Sequence, residues 1–135
     1  MRKTNKSEHI DENSTNEVKS RTLISSLFLP VFERKTVKFI LIKNIMYLKA
    51  DHNYTSICLI SKGVKQNMVV CGCLSHYEKC LPENKFIRIH HSYLVKIDQF
   101  RVYSRSKNRI LLECGDEIPV SRSMKDIFCH NEETT

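Results

Sequence analysis

Three short stretches of this 135-residue chain concentrate side chains that donate hydrogen bonds. The longest is FIRIHHSYLVKID, Phe86 to Asp98, where Arg88, His90, His91, Ser92 and Lys96 are threaded through an apolar run. The second is VSRSMK, with Ser121, Arg122, Ser123 and Lys125. The third is DHNYTS, with Asn53, Tyr54 and Thr55. Donors of these kinds suit anionic oxygens and base edges. A guanidinium pairs bidentately with the edge of guanine, and the free amides at a helix start favour phosphate. Each stretch also has a plainer reading. VSRSMK fits a capped surface helix with solvated charges. His90 fits a satisfied, partly buried histidine as well as a functional one, and His91, beside Ser92, is the better candidate for exposure. DHNYTS alone says only that the chain turns.

Other chemistries find less support. Gly63, Gly72 and Gly115 are the only glycines, too few for a phosphate-cradling loop. Neither a G-x-S-x-G elbow nor an H-E-x-x-H helix is present. CGCLSHYEKC offers Cys71, Cys73, His76 and Cys80. However, C-x-C is not the usual zinc spacing, and no second matching pair closes a tetrahedron. No catalytic residue, metal site, cofactor or small-molecule substrate is expected, and the six cysteines are read mainly as small buried hydrophobes.

Charge narrows the partner. The chain holds 22 basic and 15 acidic residues, and the excess is concentrated in 36–125, with 15 basic against 7 acidic. Such a field attracts a polyanion, nucleic acid first and an anionic membrane surface second. The best apolar run near the N-terminus, LISSLFLPVF at 23–32, is shorter than the roughly 20 residues a bilayer span needs. It also lacks the layout of a secretion signal. A cytoplasmic protein with reduced thiols and no membrane partner is expected.

The elements that must hold these donors read as β. VKFILIK, IMYLKAD, YTSICLI and KQNMVVC carry strand patterning, separated by the turn clusters DHN and SKG. Leu74, Tyr77 and Leu81 then fall on one helical face, with Ser75 a possible cap and Pro82 marking the end. FIRIHHSYLVKI returns to strand character, although neither alternating face is clean. A bulge or loop near His90–Ser92 would free the polar residues to project. QFRVYSR, NRILLEC and IPV follow. Ser121 can then cap a short helix whose apolar side is Met124, Ile127 and Phe128. Residues 1–26 are expected to be a flexible arm, 27–129 one mainly β domain with one or two short helices, and 130–135 a disordered tail.

Taken in order, IMYLKADHNYTSICL, FIRIHHSYLVKIDQF and IPVSRSMKDIF closely resemble the LytTR family of bacterial DNA-binding domains. That family carries I-x-Y-(I/L)-x-A-x-x-N-Y-(T/V), F-x-R-(I/C)-H-R-S-(Y/F)-(I/L)-V-N and (L/I)-P-V-S-R-R. The resemblance covers roughly 27–128. It implies an elongated fold of small, mostly antiparallel sheets without a helix-turn-helix. Its loops enter consecutive major grooves of double-stranded DNA, as in transcription regulators of two-component systems. Carried over, the base-contacting residues are Tyr54, His91 and Arg122. The backbone-contacting residues are Asn53, Ser92, Lys96, Ser121 and Lys125. A second copy on paired half-sites fits the family pattern.

Three departures stand out. His91 replaces the usual Arg, Lys96 the usual Asn, and Ser123 the second Arg of S-R-R. They imply weaker readout and leave an alternative: a LytTR-fold interaction module with weakened or lost DNA binding. Response regulators of the family carry a receiver domain ahead of this one. Residues 1–26 have no room for it, so a free-standing protein or a fragment of a longer regulator is expected.

Overall fold

The computed structural model describes residues 16–129. Helix α1 (16–27) is exposed along its length and leads into a hairpin of β1 (Phe28–Phe32) and β2 (Val37–Leu41). A meander follows: β3 (Ile45–Asp51), β4 (Tyr54–Ser61) and β5 (Val64–Cys71). Helix α2 (Leu74–Cys80) returns the chain to the hairpin of β6 (Phe86–His90) and β7 (Tyr93–Lys96). Strands β8 (Phe100–Ser104), β9 (Arg109–Leu112) and β10 (Glu117–Pro119) precede helix α3 (Arg122–Cys129). All strand pairs are antiparallel. They form a two-stranded ribbon, a three-stranded sheet in the order β10-β9-β8, and a five-stranded sheet in the order β5-β4-β3-β7-β6.

The central strands of the five-stranded sheet are covered on both faces, whereas the edge strand β5 is largely exposed. Leu48 stands opposite Ile57 on one side and Leu94 on the other, and all three belong to a core completed by α2 and the β1–β2 ribbon. Their neighbours in the chain point the other way. Val95 lies across from both Tyr47 and Ile87, in a second core with Ile110, Leu112 and Ile118 of the three-stranded sheet. This two-sided burial explains why FIRIHHSYLVKI shows no clean apolar face: strands covered on both sides lose the period-two signal.

The two sheets are also joined by polar bonds. Tyr47 donates to Asp116 Oδ2 at 2.8 Å, and Lys65 Nζ bonds Asp116 Oδ1 at 2.8 Å. Burial alone would raise the Asp116 carboxyl. The bonds from Lys65 and Tyr47 outweigh it and hold the group below the usual carboxylate range. Burial, followed by the Asp116 bond, pushes the Tyr47 phenol well above its ordinary range.

Several expectations need correction. Residues 16–26 are helical, which raises the helices among the described residues to three. Residues 1–15 of the expected arm and the tail 130–135 lie outside the described residues. Cys73, not Ser75, precedes α2, and no side chain caps it. Instead Gly72, at φ +111°, lets the chain pass close to Tyr77: a Cβ there would come within 3.2 Å of the ring. On α3, Met124 and Phe128 pack on the second core, but Ile127 falls on the outer flank and is 63% exposed.

Candidate nucleic-acid interface

The central stretch folds as a hairpin whose turn is His91–Ser92. The register slips between Arg88 and His90, which is the expected bulge. Bulges re-aim side chains at functional edges, and His91 is exposed at this tip. Arg88 does not point outward with it. Its Nε donates to the His90 carbonyl at 3.0 Å, one terminal nitrogen donates to the His91 carbonyl, and the other pairs with Glu78 of α2 at 2.7 Å. The guanidinium therefore braces the turn from behind.

His90 braces it from within. Its Nδ1 accepts the Ser92 amide at 3.1 Å, so this nitrogen carries no proton and the ring is neutral. Burial, then electrostatic coupling to His91, Arg109 and Arg88, holds its pKa below the ordinary histidine value. Its ring lies 4.2 Å from that of His91, centroid to centroid, and meets Tyr93 edge-on at 5.7 Å.

The second tip is the turn His52–Asn53 between β3 and β4. His52 takes φ +56°, the left-handed conformation such a tight connection requires. Asn53 is exposed, and Tyr54 is 49% exposed. Thr55 is fully buried, and its hydroxyl donates to the Gly72 carbonyl at 2.8 Å, which removes it from any contact surface. The Asn53 carbonyl accepts the Gly72 amide at 3.1 Å.

The third is the start of α3. Arg122, Ser123 and Lys125 are exposed, and Ser121 is half-buried. The Ser121 hydroxyl meets that of Ser123 at 3.1 Å. The approach to this helix is clasped by Asn108, whose side-chain amide donates to the Val120 carbonyl at 2.8 Å and whose carbonyl accepts the Val120 amide. Tyr103 donates its hydroxyl to the Asn108 side-chain oxygen.

Two backbone bonds bring these tips to one end of the five-stranded sheet. The Ala50 amide, one residue before the β3–β4 turn begins to form, donates to the Ser92 carbonyl at 2.8 Å. The Ser121 amide donates to the Ile89 carbonyl at 2.8 Å. Residues 27–122 thus fold so that Tyr54, His91 and Arg122, far apart in the chain, are exposed around a single sheet end. Asn53, Ser92, Ser121 and Lys125 lie beside them.

Lys96 is not among them, and its expected phosphate contact is corrected. It is 6% exposed, and its ammonium donates to the Ile42 and Lys43 carbonyls at 3.2 and 2.8 Å. Those carbonyls belong to a short 3₁₀ turn: that of Ile42 already accepts the Ile45 amide and takes Lys96, from the base of β7, as a second donor, and that of Lys43 accepts the same ammonium. Burial lowers its pKa. Two cations missed in the sequence stand near the tips instead: Arg109, whose charge reaches His90, and Lys49, whose Nζ lies 5.8 Å from the centre of the Tyr93 ring. No local pattern marks either. Both sit on strands whose register only the folded sheets define.

A family model, the LytTr DNA-binding domain, matches residues 35–129. Over 84 residues the chain is 29% identical to the sensory transduction protein LytT of Bacillus subtilis (strain 168), a match covering 60% of this chain. The matched stretch spans 33% of that relative's length. The fold is similar to a solved LytTr DNA-binding domain from Bacillus cereus. The TM-score is 0.57 at 20% identity, over 76% of this chain and 94% of that one. With the family model covering most of the chain, and with the mostly antiparallel β architecture on the page, the chain belongs to the LytTr DNA-binding domain family.

Proposed function

We propose that this protein is a cytoplasmic transcription regulator that binds double-stranded DNA in a sequence-specific manner. It reads consecutive major grooves through Tyr54, His91 and Arg122. Asn53, Ser92, Ser121 and Lys125 hold the phosphates on either side. The observation that carries this reading is the pair of backbone bonds, Ala50 to Ser92 and Ser121 to Ile89, that tether three exposed donor-bearing tips to one sheet end. A stiff frame with a few projecting donors suits groove recognition, because the donors are ordered before DNA arrives and little entropy is lost on docking. The basic excess supplies the sequence-independent part of the affinity. Two copies on paired half-sites fit this mode of binding.

The test is selection of bound duplexes from a random pool at moderate salt, followed by affinity measurement on the recovered site. Recovery of a defined motif supports the proposal. A second reading, an interaction module that kept the fold and lost DNA binding, rests on His91 and Ser123 standing where the family carries Arg. Recovery of no motif, with only weak, sequence-blind retention at low salt, would favour it.

A further inference from the structure

The cysteines that look ligand-like in the sequence are not the ones the fold brings together. Among the described residues, the set that converges is Cys58, Cys114 and Asp116. Their sulfur and carboxylate oxygen atoms all lie within 4.8 Å of one another. Cys58 lies on β4, directly across from Tyr47 of β3, on the face turned toward the three-stranded sheet. Cys114 and Asp116 lie on the turn linking β9 to β10. The cluster therefore spans the seam between the two sheets.

We propose that Cys58, Cys114 and Asp116 form a binding site for one thiophilic divalent cation of the zinc class. Zinc–ligand bonds of about 2.0–2.3 Å set tetrahedral ligand atoms roughly 3.5 Å apart. The spacing of up to 4.8 Å contracts toward that value when an ion is bound. Two sulfurs and one carboxylate oxygen select zinc-class ions over magnesium or calcium, which prefer all-oxygen shells. Three protein ligands leave the fourth position to solvent. Cys58 is buried, whereas Cys114 and Asp116 are half-exposed and provide the route in. On binding, each thiol releases its proton to solvent and ligates as thiolate.

The surroundings already handle a cation. The Tyr47 hydroxyl donates to Asp116 Oδ2 and fixes the carboxylate, as an outer partner of a metal ligand does. The Lys65 ammonium rests on Oδ1 at 2.8 Å, supplying the positive charge. With 40% of its side chain exposed, Lys65 is free to swing into water when a metal ion takes its place. This site does not depend on the DNA-binding reading, and its test does not involve DNA.

The experiment is anaerobic titration of the full chain with Co²⁺, followed by displacement with Zn²⁺. One equivalent of cobalt is expected to produce a near-ultraviolet thiolate-to-cobalt band that zinc abolishes. Cys114→Ala, at a half-exposed position, is expected to lose the band. Cys71→Ser/Cys73→Ser, which alters only exposed thiols, is expected to keep it. Lys65→Ala, which removes the competing ammonium, is expected to bind cobalt several-fold more tightly. Absence of the band in the parent protein, its persistence in Cys114→Ala, or its loss in Cys71→Ser/Cys73→Ser would overturn the site. Unchanged affinity in Lys65→Ala would remove Asp116 from it.

Discussion

Arg122 and Lys125 stand three positions apart at the start of α3, both exposed, yet their substitutions should read differently. Arg122→Ala is expected to weaken binding to the selected site by about 1–3 kcal/mol and to relax preference at one base step. Lys125→Ala is expected to weaken binding to all duplexes alike and to reduce the salt slope by about one. Fluorescence anisotropy on matched and scrambled duplexes distinguishes the two. Lys96→Ala should leave that slope unchanged. Instead it strips the ammonium donor from the Ile42 and Lys43 carbonyls, the first of which keeps the Ile45 amide, at a cost of about 1–3 kcal/mol in urea unfolding. Lysine is a surface residue by default, and nothing adjacent to Lys96 in the chain announces the carbonyls of Ile42 and Lys43, more than fifty positions away. The donor types at the tips were readable from their chemistry. Which of them face solvent was legible only in part: His91 is exposed, as its place beside Ser92 suggests, whereas Lys96 is buried. His90 adds a pH dependence. Its folded pKa lies below the unfolded value of about 6.5, so the unfolded chain takes up the proton first. The stability contributed by neutral His90 is present above about pH 6.5 and is lost as pH falls through the depressed folded value. His90→Gln should flatten the stability difference between pH 7.5 and 5.5 relative to the parent protein, as measured by urea unfolding at each pH.

The β6–β7 hairpin shows what an element can conceal. Its broken alternation was visible in FIRIHHSYLVKI, and a bulge or loop near His90–Ser92 follows from it. The acid that anchors the Arg88 brace was not visible: Glu78 belongs to another element, and a sequence does not say which acid an arginine will find. Arg88→Ala removes bonds to Glu78 and to the carbonyls of His90 and His91. It is expected to destabilise the fold by about 1–3 kcal/mol and to weaken duplex binding, although Arg88 faces away from the tip. Arg88→Lys should recover little, because one ammonium cannot span three acceptors arranged around a planar fork. If Arg88→Ala left both stability and affinity unchanged, the brace would have no energetic role. Helix α1 escaped the reading for the opposite reason. It buries none of its residues, and without a packed face there is no apolar periodicity to detect.

At the scale of the whole molecule, the basic excess in 36–125 sets the field around a fold whose three donor-bearing tips share one end. Raising salt is expected to lower affinity along a straight log–log line, each neutralised phosphate contributing a slope of about 0.9. A flat line would mean the field is not used on a polyanion. The β class was legible from turn spacing and strand composition, and the antiparallel pairing from the family resemblance. The division into two cores was not, because it depends on which side of one sheet each residue takes. That division has its own consequence. Leu94 and Val95 are neighbours in β7 assigned to different interiors, one closed by α2 and the other by the three-stranded sheet. Sliding β7 by one residue would send each into the compartment shaped for the other and carry Ser92 away from Ala50. Intermediate alignments have no stable packing, so the hairpin has one allowed setting. The spacing between its tip and the neighbouring turns is therefore stepped rather than adjustable, like the teeth of a key.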